Sequence, residues 1–202
     1  MTTLDHMRQA FGASHVNGSS PFTVKAGRTE LSRLCADLGF TKGAEIGVWR
    51  GKWSAHLCKD NPALEMLCVD LWATYDTYQD SRNQTDKLEE SYREALAVLA
   101  PYRCTIVREA SVKAAQAVPD GSLDFVYIDA NHGEAFVRQD LEAWVPKVRS
   151  GGICSGHDYI YRAEKPHIQV KAAVDKFIAE HKIAPVFILA ADNVPSFAWV
   201  QP

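Results

Sequence analysis

No apolar run in this chain is long enough to cross a bilayer, and the stretch from Met1 to Pro21 lacks the hydrophobic segment of a signal peptide. A membrane protein or an exported one is therefore not expected, and a cytoplasmic location is. Cysteine is sparse: the five residues at 35, 58, 68, 104 and 154 are odd in number and never spaced C-x-x-C. That excludes a disulfide framework and a zinc ribbon, and leaves reduced thiols in a core. Excess positive charge is missing too. Lys and Arg total 22 against 25 Asp and Glu, a formal net charge of −3, so the footprint of a nucleic-acid binder is absent. The diphosphate fingerprint G-x-G-x-x-G does not occur, nor does an internal repeat or a low-complexity tract.

The 202 residues, 47% hydrophobic, suit one globular domain, expected over residues 29–202 behind an N-terminal arm at 1–28. The Asn17-Gly18-Ser19-Ser20-Pro21 cluster predicts a loop or loosely docked arm. Apolar spacing predicts a helix from Thr29 to Leu38, another from Trp53 to Cys58, a third through Leu88, Tyr92, Leu96 and Leu99, and two more around Val137-Leu141-Trp144 and Val170-Val174-Phe177. Between them lie five strand-like runs, Ala44 to Val48, Met66 to Val69, Cys104 to Val107, Phe125 to Ile128 and Ile153 to Ser155. Alternation of this kind predicts a doubly wound α/β fold with a mostly parallel sheet. The last two runs, Val186 to Ala190 and Ser196 to Val200, are joined by too few residues for a helical crossover. They must pair as a hairpin, making seven strands with an antiparallel final one.

The first functional signal is Glu45-Ile46-Gly47-Val48-Trp49-Arg50-Gly51, followed by Asp70 at the end of the next strand. Two glycines four apart permit a tight strand-to-helix turn, and a carboxylate at the neighbouring strand tip can accept both hydroxyls of a ribose lying over it. Glu45 is a poor neighbour for a diphosphate and a good one for a sulfonium or ammonium, which points to S-adenosylmethionine rather than NAD. Leu71 and Trp72 are placed to cover adenine and Ser111 to bond its edge. Trp49 is either a core residue or a cofactor contact. Trp72, Tyr75 and Tyr78 form either a substrate wall or a satellite apolar cluster. Asp124 is assigned to the turn at Pro119 to Ser122 and not to a site.

The second signal is Asp129-Ala130-Asn131-His132 after one strand and Gly156-His157-Asp158-Tyr159 after the next. With the first block, these motifs resemble class I S-adenosylmethionine-dependent methyltransferases, and within them the small bacterial family that includes macrolide-sugar (macrocin-type) O-methyltransferases. The resemblance runs from about Leu31 to Val200. It implies a Rossmann-like fold with a reversed last strand, metal binding at Asp129 and Asp158, and His132 as the base. His157 stands where relatives carry an acid, and its nitrogen suits a transition metal better than Mg2+.

The chemistry is consistent with these roles. Methyl transfer needs a hydroxyl aligned with the S–CH3 bond and stripped of its proton. An unperturbed imidazole, titrating near pH ~6.5, can take that proton. Carboxylates at adjacent strand tips can share a divalent cation, which would acidify a bound hydroxyl. Asp129 could equally cap a helix or touch the cofactor. His6, His15, His56, His167 and His181 are assigned structural roles.

The expected activity is O-methylation of a small hydroxylated molecule, a sugar or sugar-bearing natural product, with neither nucleic acid nor membrane as partner and self-association into a homo-oligomer left open. The alternatives are a metal-independent O- or N-methyltransferase, an NAD oxidoreductase, and a non-catalytic adenosylmethionine-binding domain.

Overall fold

The computed structural model of the chain describes residues 1–13, 20–74 and 84–202. The elements run α1 (Thr3–Ala10), β1 (Phe22–Val24), α2 (Arg28–Asp37), β2 (Lys42–Ile46), α3 (Lys52–Asp60), β3 (Glu65–Asp70), α4 (Thr85–Leu99) and β4 (Cys104–Arg108). Then follow α5 (Ser111–Ala115), β5 (Leu123–Ile128), α6 (Glu134–Trp144), a 3-10 turn at Val145–Lys147, β6 (Val148–Gly156), α7 (Val170–Glu180), β7 (Val186–Leu189) and β8 (Ser196–Val200).

These strands form one sheet in the order β1-β7-β8-β6-β5-β2-β3-β4, parallel except for β8, which is antiparallel to both β6 and β7. The expected hairpin is therefore present. The count is eight strands among the described residues rather than seven, because Phe22 to Val24 pairs with Phe187 to Leu189 at the edge. From β2 the chain winds outward through β3 and β4, then returns to the other side of β2 for β5 and β6. Helices leave the β2 and β5 tips in opposite directions, and the crevice opened at such a reversal is where open α/β sheets hold ligands.

Period-two alternation divides the core between the two faces of the sheet. Phe125 and Tyr127 point to the side packed by α2 and α3 through Leu31, Leu34, Trp53 and Leu57. Ala44, Ile46, Val126 and Ile128 point to the opposite side, against Leu141 and Trp144 of α6 and Val174 and Phe177 of α7. Glu45 is thus a carboxylate on an otherwise apolar strand, and its side chain lies on the α3 side, where Ser54 meets it.

The described part of the N-terminal segment is not loose. Met7 is wholly buried, Phe11 stacks edge-on against Phe187, and the Thr3 hydroxyl donates to the Gly151 carbonyl at 2.7 Å. Helix α1 is started by a capping box in which Thr2 and Asp5 satisfy each other's backbone amides. Residues 14–19 and 75–83, which include Asn17-Gly18-Ser19 of the expected loop, His15, Tyr75 and Tyr78, lie outside the described residues. Asp124 clamps the start of β2: its Oδ2 accepts the amides of Thr41 and Lys42 at 2.7 and 2.9 Å, and its Oδ1 accepts Arg149 Nε at 2.8 Å.

Candidate active site

A cavity of about 230 Å3 opens over the tips of β2, β3 and β5, lined by Glu45, Gly47, Trp49, Asp70, Leu71, Ser111, Asp129, Asn131 and His132 among others. The glycine turn that floors it is left-handed at Gly47 (φ 90°), Trp49 (φ 52°) and Gly51 (φ 75°). A Cβ on Gly47 would lie 2.1 Å from the Asp129 carbonyl oxygen. What Gly47 approaches so closely is the tip of β5, so the glycine brings the two functional strand ends together.

Asp70 holds this turn in shape. Its Oδ2 accepts the Trp49 amide at 2.8 Å and its Oδ1 the Trp72 amide at 2.9 Å, while burial raises its pKa against those bonds. Asp70 also lines the cavity, so its carboxylate faces the space where a ribose would lie. Trp72 does not line the cavity. Its indole is buried against Tyr92, ring centroids 4.9 Å apart, and its Nε1 donates to the Trp49 carbonyl at 2.8 Å. Its left-handed backbone (φ 43°) turns the ring inward, leaving Leu71 and Ala73 on the cavity wall. Trp49 does line the cavity, beneath the Arg50 guanidinium.

Glu45 is buried and accepts both the Ser54 amide, at 3.0 Å, and the Ser54 hydroxyl. Burial dominates, with Asp129 and Asp70 adding repulsion, and its pKa is pushed up to about 8. A cationic ligand would restore the carboxylate form. Ser111 is fixed by two buried partners: its hydroxyl donates to Asp140 Oδ1 and accepts Trp144 Nε1 at 2.8 Å. The lone pair left over can only accept, and the exocyclic amine of an adenine can only donate. Burial pushes Asp140 up to about 6.

At the far wall Asp129 follows β5 and Asp158 follows β6, which are hydrogen-bonded neighbours. Asp129, His132 and Asp158 each bring a donor atom within 4.8 Å of the others. His132 Nε2 lies 3.0 Å from Asp158 Oδ2 and 3.8 Å from Asp129 Oδ1. His157 joins from the side, its Nδ1 3.3 Å from Asp158 and 3.7 Å from Asp129, while its buried Nε2 has no hydrogen-bond partner among the described residues.

Burial opposes charge on His132, but the carboxylates of Asp129 and Asp158 outweigh it and hold the imidazole up to about 9. The ordinary titration near 6.5 expected from the sequence is thus corrected: the carboxylates reserve the proton. His157 is raised by Asp158 against the same burial penalty. Asp158, despite burial, is held well below the usual carboxylate range by both histidines. The oxygen and nitrogen donors of Asp129, Asp158 and a histidine fit a divalent cation, which, when bound, would acidify a coordinated hydroxyl.

A second cavity, about 270 Å3, adjoins the first and shares Asp129 and His132 with it. His157, Asp158, Arg162, Lys165 and His167 also line it. The segment that supplies the last three is fixed at both ends. Tyr159 is buried with its hydroxyl on Asp175, and the Gln169 amide donates to the His132 carbonyl at 2.8 Å. His167, assigned a structural role from the sequence, lines this second cavity. Asn131 was also missed; its side-chain Nδ2 is buried without a partner among the described residues, and the residue lines the first cavity. Its place inside D-x-x-H was the available signal.

Among solved structures, the chain is similar to a candidate caffeoyl-CoA O-methyltransferase from Staphylococcus aureus, at 13% identity over 99% of this chain and 93% of that one with a TM-score of 0.64. It is likewise similar to a cofactor-bound protein from MTB (16%, 98% and 89%, TM-score 0.63) and to a candidate O-methyltransferase from Klebsiella pneumoniae (15%, 99% and 88%, TM-score 0.60). These likenesses establish the fold. A search of curated proteins finds no match. Residues 44–159, more than half of the chain and the whole of both functional strand tips, match the family model described as a methyltransferase domain, so the chain belongs to that family and is an S-adenosylmethionine-dependent methyltransferase.

Proposed function

We propose that the protein transfers the methyl group to a hydroxyl of a small molecule, a sugar or sugar-bearing natural product, with Asp129 and Asp158 holding a divalent cation and His132 taking the proton. The observation that carries this reading is the meeting of the two cavities at Asp129 and His132. Donor and acceptor would approach from opposite sides of those residues. The O–CH3 bond forms as the S–CH3 bond breaks, the hydroxyl proton passes to the neutral His132 ring, and the products are a methyl ether and S-adenosylhomocysteine. Glu45 and Asp70 would face the cationic and ribose parts of the donor, and Ser111 its adenine.

The test is turnover with S-adenosylmethionine and a panel of hydroxylated acceptors. His132→Ala is expected to abolish product while leaving S-adenosylhomocysteine affinity within about two-fold. Unchanged turnover in that variant overturns the base assignment. Loss of turnover on chelation, restored by Mg2+ or Mn2+, supports the cation; indifference to chelation favours the metal-independent alternative.

A further inference from the structure

The wall of the second cavity contributed by the segment after Tyr159 carries Arg162 and Lys165, neither ion-paired among the described residues. Two successive backbone turns, the Lys165 amide to the Arg162 carbonyl at 3.1 Å and the Ile168 amide to the Lys165 carbonyl at 3.0 Å, place Arg162, Lys165 and Ile168 three residues apart on one side, facing the cavity. His167 lines it between them. Among the described residues, none of Arg162, Lys165 and His167 has an acidic partner within ion-pair distance, although other basic side chains on the molecule pair widely. Arg162 and His167 are half-buried. The acids of the same cavity do not answer them: Asp158 is engaged by His132 and His157, and Asp129 faces the same two rings.

A partly desolvated guanidinium without a counter-charge is unfavourable, and its planar fork matches the two oxygens of a carboxylate or phosphate. We infer that the acceptor is an anionic hydroxylated molecule, a sugar acid, sugar phosphate or hydroxy acid, whose carboxylate or phosphate is bound by Arg162 with Lys165 and His167 while its hydroxyl reaches Asp129 and His132. This rests on the methyl-transfer reading and names the substrate class for it. The anion grips the end of the acceptor away from the reacting oxygen, so its binding energy can be spent on alignment at the methyl group.

The test has two arms. In the first, inorganic phosphate is titrated calorimetrically into the full chain, with and without S-adenosylhomocysteine, for the natural protein and for Arg162→Gln and Lys165→Gln. Saturable binding that weakens at least ten-fold in Arg162→Gln, with S-adenosylhomocysteine affinity unaltered, is the expected result. Absence of saturable phosphate binding, or equal binding in the variant, overturns the proposal. In the second, S-adenosylhomocysteine release is compared for glucuronate, glucose 6-phosphate and glucose. A kcat/KM at least ten-fold higher for one charged sugar supports the site and tells carboxylate from phosphate; equal or higher turnover of glucose overturns it. If S-adenosylhomocysteine fails to bind at all, the methyl-transfer reading fails, while the phosphate arm still reports on the cationic wall.

Discussion

His132 Nε2 sits 3.0 Å from Asp158 Oδ2, closer than any contact either makes with Asp129 or His157. Because the imidazole is held up to about 9, His132 in protein stripped of divalent cations should lose its proton as the pH is raised through that value. Asp158→Asn removes one of the carboxylates and should move that titration to lower pH. NMR titration of the His132 ring protons checks both.

The same pair bears on stability. His132 has a folded pKa above its ordinary 6.5, so its contribution is complete below 6.5 and fades as the pH rises through about 9. Asp158 is depressed below 3.8, so its share is present above 3.8 and is lost in stronger acid. Thermal midpoints should therefore fall on the alkaline side for the natural protein and respond less to alkali in His132→Gln.

Glu45, pushed up to about 8, is largely protonated at pH 7. A ligand carrying an ammonium or sulfonium favours its ionised form, so binding should release up to about one proton and tighten as the pH rises towards 8, then level off. Titration calorimetry in buffers of different ionisation enthalpy measures the release. In Glu45→Gln it should vanish.

Gly47→Ala places a methyl 2.1 Å from the Asp129 carbonyl at a φ of 90°. Overpacking against backbone together with left-handed strain should cost roughly 2–4 kcal/mol, read by urea unfolding. A loss confined to ligand affinity, with unfolding unchanged, would contradict the view that this glycine serves the contact between strand tips.

Ser111→Ala strands two buried groups, the Asp140 carboxylate and the Trp144 N–H. A destabilisation of about 1–3 kcal/mol is expected, with a drop in S-adenosylhomocysteine affinity of roughly five-fold from the lost hydrogen bond. Since the Ser111 hydroxyl holds Asp140 down against burial, the variant should also raise the Asp140 pKa, observable by NMR titration.

The central strands were legible because Phe125 to Ile128 and Met66 to Val69 are covered on both faces and so read as continuous apolar runs. Strand β1 was not, because three residues at a sheet edge between Pro21 and Lys25 carry almost no periodicity. Helix α1 escaped because it wholly buries Met7 but otherwise reads as polar; its Thr2-x-x-Asp5 capping pattern was the available sign. Asp129 and Asp158 could be named because they end strands expected to be neighbours, and His132 because of its place in D-x-x-H, with the resemblance supplying their roles. Neither the pKa of His132 nor the inward turn of Trp72 could be read, since one depends on a through-space contact and the other on a left-handed backbone at a residue without glycine's freedom.

The segment between Asp158 and Gln169 begins and ends on the same residue: Asp158 meets the His132 ring, and the Gln169 amide meets the His132 carbonyl. It is a handle fastened at one bolt. Substitutions along residues 160–168 can reshape what the handle grasps while the bolt, and the methyl-transfer geometry around it, stays where the sheet puts it. Acceptor preference in this protein should then answer to one short stretch of chain, separable from the centre that it overhangs.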